Sequence, residues 1–171
     1  MSSESDPVVV GLDTPEEDGV IILKSKDGKD YTLKRKNALV SVVVKTAIET
    51  DSAVTELPVD VAGDVLPLIV EYMNHHNGVE APIVEKPLRS KIMKDVVKDA
   101  WDAEFVDRIG EDRQLLYDLT LAANYMDIKS LMHLGCAKVA SLIKGQPLEK
   151  IKEILVKGTK LEGKDMKVES T

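Results

Sequence analysis

The side chains best suited to bind metals or act as nucleophiles are few in this 171-residue chain: three histidines and one cysteine. His75 and His76 are adjacent, and neighbours on a helix point about 100° apart, so they do not converge easily on one ion. His133 is remote from them in sequence. Cys136 lies within an apolar helical stripe, which predicts a buried, inert thiol rather than a nucleophile. We therefore predict no metal site and no Cys-His catalytic pair.

Other catalytic motifs are also missing from the sequence. Acidic residues are abundant but form no recognisable acid–base motif, and the glycines form no phosphate-binding loop. The competing class, a small enzyme, would need a concave pocket with perturbed titratable groups. We predict that the chain is not an enzyme and uses no cofactor.

The charge and apolar patterns narrow the choice of partner and compartment. The net charge is −7, and the basic cluster at 34–36 is too short to form a phosphate-binding patch, so no nucleic-acid partner is expected. The apolar runs fall far short of the ~20 residues that span a bilayer, and the first residues do not resemble a signal peptide. A single cysteine allows no intrachain disulfide. We expect a protein of the cytoplasm and nucleus without membrane contact.

The secondary-structure elements that would position functional side chains are predicted to alternate between strands and helices at first. The rest of the chain is predicted to be helical. A β-hairpin is predicted from two apolar strands around Asp27-Gly28, a pair favoured in tight turns. Proline is tolerated in a first helical turn but breaks a helix interior, so the helix that contains Pro67 is expected to begin near Asp64 or to kink there. The predicted order is a disordered leader (1–19), strands (20–23 and 31–33), a helix capped by Asn37 (37–49), a strand (54–57), a helix (to 76), a mobile connector with a short helix (77–100), three helices (113–126, 127–144 and 147–156) and a disordered tail (157–171). This order predicts an α+β fold, a small sheet flanked by helices. Trp101 and Phe105 are expected to anchor its packing.

Several segments then carry a family resemblance. The stretch at 121–131, LAANYMDIKSL, closely resembles the LAANYLDIKGLL signature of the S-phase kinase-associated (Skp) adaptor family. Other matches follow the family's order: SKDG at 25–28, VKT at 44–46, EYM and HH at 71–76, WDAEF at 101–105 and VASLIKG at 139–145. The resemblance covers roughly residues 20–155.

This resemblance implies a fold and a function. The fold would be a BTB/POZ core over 20–126 followed by F-box-binding helices over 127–156. The function would be that of an adaptor in an SCF-type cullin-RING ubiquitin ligase, with F-box proteins and a cullin scaffold as partners. The alternatives are an elongin-C-like adaptor and a structural or self-associating BTB protein, for example in kinetochore assembly or as a weak homodimer when unbound.

The helix after Asp127 carries the first candidate surface. Met132, Cys136, Val139 and Ile143 fall within a stripe about 60° wide, with Ser130, His133, Ala137, Ser141 and Lys144 on the other side. Periodicity alone favours an intramolecular core for this stripe. The resemblance instead implies an F-box-binding surface made of Met132, Cys136, Val139, Ala140, Ile143, Ile151 and Ile154.

The second candidate surface consists of Tyr117, Asn124 and Tyr125, which the resemblance implies are cullin-binding. Tyr117 stands where the family usually has Phe, so the ring is kept and a hydroxyl is added. Without the resemblance, both tyrosines would be expected to cap the edge of the core. The family's acidic DFTPEEE segment and terminal Trp-Cys have no counterpart at 157–171, so a divergent member with a weaker grip on an F-box, or with unusual receptors, is predicted.

Overall fold

Three strands and eight helices make up residues 19–156, the part of the chain that the computed structural model describes. The central strand β1 (Val20–Lys24) pairs antiparallel with β2 (Asp30–Lys34) and parallel with β3 (Glu56–Pro58). The predicted leader, except for Gly19, and the predicted tail lie outside the described residues. The helices are α1 (Arg35–Ala38), α2 (Val42–Thr50), α3 (Leu66–His76), α4 (Met93–Val96), α5 (Ala100–Ile109), α6 (Arg113–Tyr125), α7 (Lys129–Ile143) and α8 (Leu148–Val156).

The predicted hairpin is confirmed. Gly28 has φ 82°, a conformation that costs glycine little because it has no Cβ. Ile21 pairs with Leu33 across the two strands, and both are buried. Their alternation with outward-facing residues places one face of the hairpin on the core. The order of strands and helices confirms the α+β prediction.

Ser41 divides the single helix predicted over 37–49 into α1 and α2. Its Oγ accepts the Val44 N–H at 3.3 Å as the N-cap of α2 and donates to the Met126 carbonyl at 2.5 Å. The predicted cap, Asn37, lies inside α1, and its amide donates to the Asn74 side chain at 2.9 Å. One buried hydroxyl thus joins the beginning of α2 to the end of α6.

The position of Pro67 and the helix in the connector agree broadly with the predictions. α3 begins at Leu66, two residues later than expected, with Pro67 in its first turn. In the predicted connector, α4 is the short helix that was expected there. Val84 and Met93 in this segment are buried in the core. Its predicted mobility stays a prediction.

The aromatic anchors are confirmed. Phe105 is buried, and its ring stacks on that of Trp101 with a centroid separation of 4.8 Å. The Tyr72 ring, also buried, lies 5.9 Å from Phe105. These rings pack α3 against α5.

No helix among the described residues combines the length and apolar character needed to cross a bilayer.

Ser41→Ala is expected to lower the free energy of unfolding by about 1 to 3 kcal/mol, because the change removes a helix cap and leaves a buried carbonyl without its donor. Urea denaturation measures this loss. Ser52→Ala is the matched control, because Ser52 is exposed, and it should stay within about 0.5 kcal/mol of the parent. Equal stability of both variants would contradict the role of Ser41.

Two candidate protein-binding surfaces

The inward face of α7 is lined by small and aliphatic side chains. Its buried members are Ser130, Leu131, Leu134, Gly135, Ala137 and Ser141. A Cβ built on Gly135 would collide with the Thr120 side chain on α6. The missing side chain therefore lets α7 approach α6 closely.

Three residues predicted to lie on the outer side of α7 are instead buried: Ser130, Ala137 and Ser141. The Ser141 hydroxyl donates to the Lys138 carbonyl at 2.7 Å, and the Ser130 hydroxyl accepts from Tyr72 at 3.0 Å. Because both hydroxyls are hydrogen-bonded, their burial costs little free energy. The prediction was wrong for the two serines because a polar side chain was expected to face outward, whereas their hydroxyls bond inside the chain.

The predicted apolar stripe lies about 150° round α7 from the buried face. Met132, Val139, Ala140 and Ile143 are each half-buried. Cys136 is exposed, so the prediction of a buried thiol is wrong. The chain therefore does not cover the stripe completely, and apolar side chains on it remain within reach of another molecule.

Helix α8 extends this surface through Ile151 and Leu155, but Ile154, which was also predicted to belong to it, is buried. Ile151 is half-buried. Ile154 is only 3% exposed, and its carbonyl accepts a hydrogen bond from the Tyr117 hydroxyl at 2.9 Å. Ile154 thus packs inside the chain rather than lying open to a partner. The outer side of α8 carries the exposed side chains of Leu148, Leu155 and Val156.

A groove borders the stripe on the connector side. Connector residues at 84–88 face Cys136 and Ala140 across an apolar space of about 440 Å³. The Lys144 ammonium donates to the Leu88 carbonyl at 2.9 Å and so ties the connector to the end of α7. No sequence pattern predicts this border, because the two segments are far apart along the chain.

The second surface lies on the outward face of α6. Asn124 is exposed and Tyr125 is 45% exposed. The Tyr125 hydroxyl accepts the Asp60 N–H at 3.2 Å, and this bond orients the ring. We did not single out Leu121, which is 68% exposed. Its position four residues before Tyr125, on the same helical face, was the available signal.

A groove of about 340 Å³ accompanies this face. Leu121, Tyr125 and Asp118 line one side of it, and the segment at 60–65 and Lys26 line the rest. An exposed leucine beside an oriented tyrosine is typical of protein interfaces, where aromatic anchors bind in pockets.

The hydroxyl of Tyr117 bonds within the chain. Tyr117 is half-buried, and burial raises the pKa of its hydroxyl. The hydroxyl that distinguishes it from phenylalanine makes the bond to Ile154. Tyr117 therefore fastens α8 to α6, and the structure does not group its hydroxyl with the exposed residues of the second surface.

His75 and His76 lie closer to another potential metal ligand than their positions in the sequence indicate. One ligand atom from each of His75, His76 and Asp99 lies within 4.8 Å of the others. Both histidines lie at the end of α3, where the beginning of α5 packs against them, so their ring nitrogens come close together despite the 100° between neighbours on a helix.

The fold and these surfaces define an α+β protein-interaction module whose apolar helical extension is only partly covered. The chain matches two family models, described as "Skp1 family, tetramerisation domain" over residues 19–78 and "Skp1 family, dimerisation domain" over residues 129–156. It belongs to the Skp1 family, and the predicted POZ fold is confirmed.

Curated relatives agree with the family models. The chain is 39% identical over 114 residues to the S-phase kinase-associated protein 1 homolog of Tetrahymena thermophila, covering 66% of this chain and 67% of that protein. It is 34% identical over 137 residues to SKP1-like protein 13 of Arabidopsis thaliana, covering 80% and 83%. It is 35% identical over 136 residues to the E3 ubiquitin ligase complex SCF subunit sconC of Arthroderma benhamiae, covering 78% and 80%.

Tyr117→Phe is expected to loosen α8, because it removes the hydroxyl that donates to Ile154 while keeping the ring. The loss of about 1 kcal/mol corresponds to about fivefold faster amide exchange in α8. Hydrogen–deuterium exchange with mass spectrometry measures this. The control is Tyr31→Phe, whose hydroxyl donates to Gly63 and which should leave α8 unchanged. Unaltered exchange in both variants would show that the bond does not hold α8.

Proposed function

We propose that this chain is the adaptor subunit of an SCF-type ubiquitin ligase and bridges a cullin scaffold to F-box substrate receptors. One observation carries the proposal: α7 packs one face against its own core and leaves an apolar stripe on the other face only half-buried. The name of the Arthroderma relative, an SCF subunit, supports the same assignment. The chain would act by holding two proteins together and would catalyse no reaction itself.

The stripe on α7 suits the apolar side of a partner helix. Helices that bury one face are normally polar on the other, but Met132, Val139 and Ile143 continue the apolar character of α7 onto its outer side. Apolar helices dock in such grooves through side chains spaced by helical turns. The F-box would contact Met132, Cys136, Val139, Ala140 and Ile143 together with Ile151 on α8. The exposed side chains of Leu148 and Leu155 extend the same apolar surface.

The outward face of α6 suits the cullin. Leu121, Asn124 and Tyr125 combine an apolar side chain, a hydrogen-bonding amide and an aromatic anchor. Tyrosine buries a large area at low entropic cost, and the bond from Asp60 orients Tyr125 before any partner arrives. Tyr117 would contribute indirectly, by holding α8.

Helix α6 mechanically connects the two surfaces. Its outward residues form one surface, its buried residues support α7, and Tyr117 binds α8. A partner on one surface would therefore be held at a defined position relative to a partner on the other. This rigidity is what an adaptor needs in order to fix the distance between a scaffold and a substrate receptor.

Self-association is the second candidate, favoured by the match of residues 129–156 to a dimerisation domain of the family. A weak homodimer would cover the same apolar stripe when no F-box is present. Light scattering after size-exclusion chromatography distinguishes the two. An F-box peptide that converts a dimer into a 1:1 complex supports the adaptor, whereas a dimer that persists in the presence of the peptide supports self-association.

We also propose that the chain acts in the cytoplasm and nucleus, which imaging of a fluorescent fusion tests.

Val139→Asp is expected to weaken F-box binding at least about a hundredfold, because binding would bury an unpaired carboxylate. Cys136→Asp is the companion variant, since Cys136 is exposed in the free chain and a charge there spares the fold. Val42→Asp, at a 45% exposed position on α2, is the control. Isothermal titration with an F-box domain measures all three. Tight binding by folded Val139→Asp and Cys136→Asp would place the F-box surface elsewhere.

The variant Asn124→Ala/Tyr125→Ala is expected to lose cullin binding by more than about tenfold while it keeps F-box binding, because it removes side chains from the α6 face alone. Leu121→Asp should do the same without disturbing the fold, since Leu121 is exposed. Pull-down with the N-terminal part of a cullin from the same cell measures the loss. Unchanged cullin capture by the folded variants would remove this assignment, and simultaneous loss of both partners would indicate damage to the fold instead.

A further inference from the structure

The end of α3 and the beginning of α5 bring two imidazoles and two carboxylates together. The His75 Nε2 lies 2.8 Å from the Asp99 carboxylate, and the His76 Nε2 lies 2.8 Å from the Asp102 carboxylate. The ring of His75 also stacks on Trp101, with centroids 3.9 Å apart and an interplanar angle of 7°. None of these groups belongs to the two surfaces described above.

The cluster is well ordered by its surroundings. The side chains of His76 and Asp102 are only 10% and 8% exposed, and those of His75 and Asp99 are 30% and 41% exposed. Asp99 is the N-cap of α5, and its other carboxylate oxygen accepts the Trp101 N–H at 2.9 Å. Imidazoles held by carboxylates, as His76 is by Asp102, are typical of metal ligands oriented by a second layer of residues.

We propose that His75, His76 and Asp99 bind a zinc ion that fastens the end of α3 to the beginning of α5. Imidazole nitrogen and carboxylate oxygen are both ligands for Zn²⁺, and three protein ligands plus a water complete a tetrahedral site. Ligand atoms round such an ion lie about 3.3 Å apart, given bonds of about 2.0 to 2.1 Å. The three candidate atoms already lie within 4.8 Å of one another, so small side-chain rotations complete the site.

A cavity beside the cluster gives an ion a route and a favourable potential. Asp99 and Asp102 line a space of about 260 Å³ between the connector and α5. Two further carboxylates, Glu85 and Asp95, line the same space against one ammonium, that of Lys98. The excess of negative charge attracts a divalent cation towards Asp99, the proposed ligand that lines this space.

The ion would act on the connector. Residues 77–98 leave α3 at His76 and return to α5 at Asp99, so a metal bound to both ends closes this segment into a loop. Closing a loop by a metal restricts the unfolded chain and stabilises the fold. The three proposed ligands themselves lie on neither of the two protein-binding surfaces.

The test is titration of the full chain with zinc chloride, followed by calorimetry and by the fluorescence of Trp101, which is the only tryptophan and stacks on a proposed ligand. We expect one ion per chain, a change in Trp101 emission and a raised melting temperature. Asp99→Asn should weaken binding more than tenfold while it preserves the cap, because Asn caps helices as well as Asp. His75→Gln should weaken binding similarly.

The control is His133→Gln, which changes the remaining histidine and should bind zinc as the parent does. Cobalt chloride provides a second readout, since a tetrahedral Co²⁺ site should absorb visible light in the parent and lose this absorption in His75→Gln. The proposal is overturned if the parent shows no saturable binding, or if Asp99→Asn and His75→Gln bind zinc as tightly as the parent.

Discussion

The close packing of α7 on α6 is the constraint on which both protein-binding surfaces depend. Gly135 has no room for a Cβ beside Thr120, so α7 lies close to α6 at this position. The inward face also buries Leu131 and Leu134 together with Ser130 and Ser141, whose hydroxyls have partners. The apolar residues Met132, Val139 and Ile143 therefore lie on the opposite side of the helix, where the chain covers them only in part.

The same packing explains the character of α6. Leu116, Leu119 and Ala123 bury its inner side, so the outward residues Leu121 and Tyr125 have no core to enter. An exposed leucine beside an exposed tyrosine costs solvation free energy in the isolated chain. A partner that covers them recovers this free energy, and this is the physical reason to expect an interface there.

The sequence predicted the local elements well and the pairing between distant ones less well. The hairpin at Asp27-Gly28 was predictable because turn chemistry is local. The division at Ser41 was not, because the hydroxyl that caps α2 also bonds to Met126, 85 residues away. The α7 stripe was found from periodicity, but Ser130 and Ser141 were placed on the wrong side, since periodicity does not show which hydroxyls find partners.

The candidate sites show the same limit. Asn124 and Tyr125 lie on an exposed face as the resemblance implied, whereas Ile154 and the Tyr117 hydroxyl turn towards each other. That contact depends on where α8 packs, which a helical pattern does not specify. The proximity of Asp99 to His75 likewise arises because α5 returns to the end of α3 after the connector, a juxtaposition that spacing along the chain could not reveal.

The anchoring of α8 has a consequence for how a partner would bind. A groove whose walls are already ordered costs less conformational entropy on binding than one assembled by the ligand. Ile154 is buried and Tyr117 bonds to its carbonyl, so α8 is already seated beside α7 in the free chain. The outer side chains, such as Leu148 and Leu155, are the part left to adjust to the partner. An adaptor that binds several receptors benefits from this arrangement. The ordered part of the surface gives affinity, and the exposed side chains at its edge can adjust to different helices.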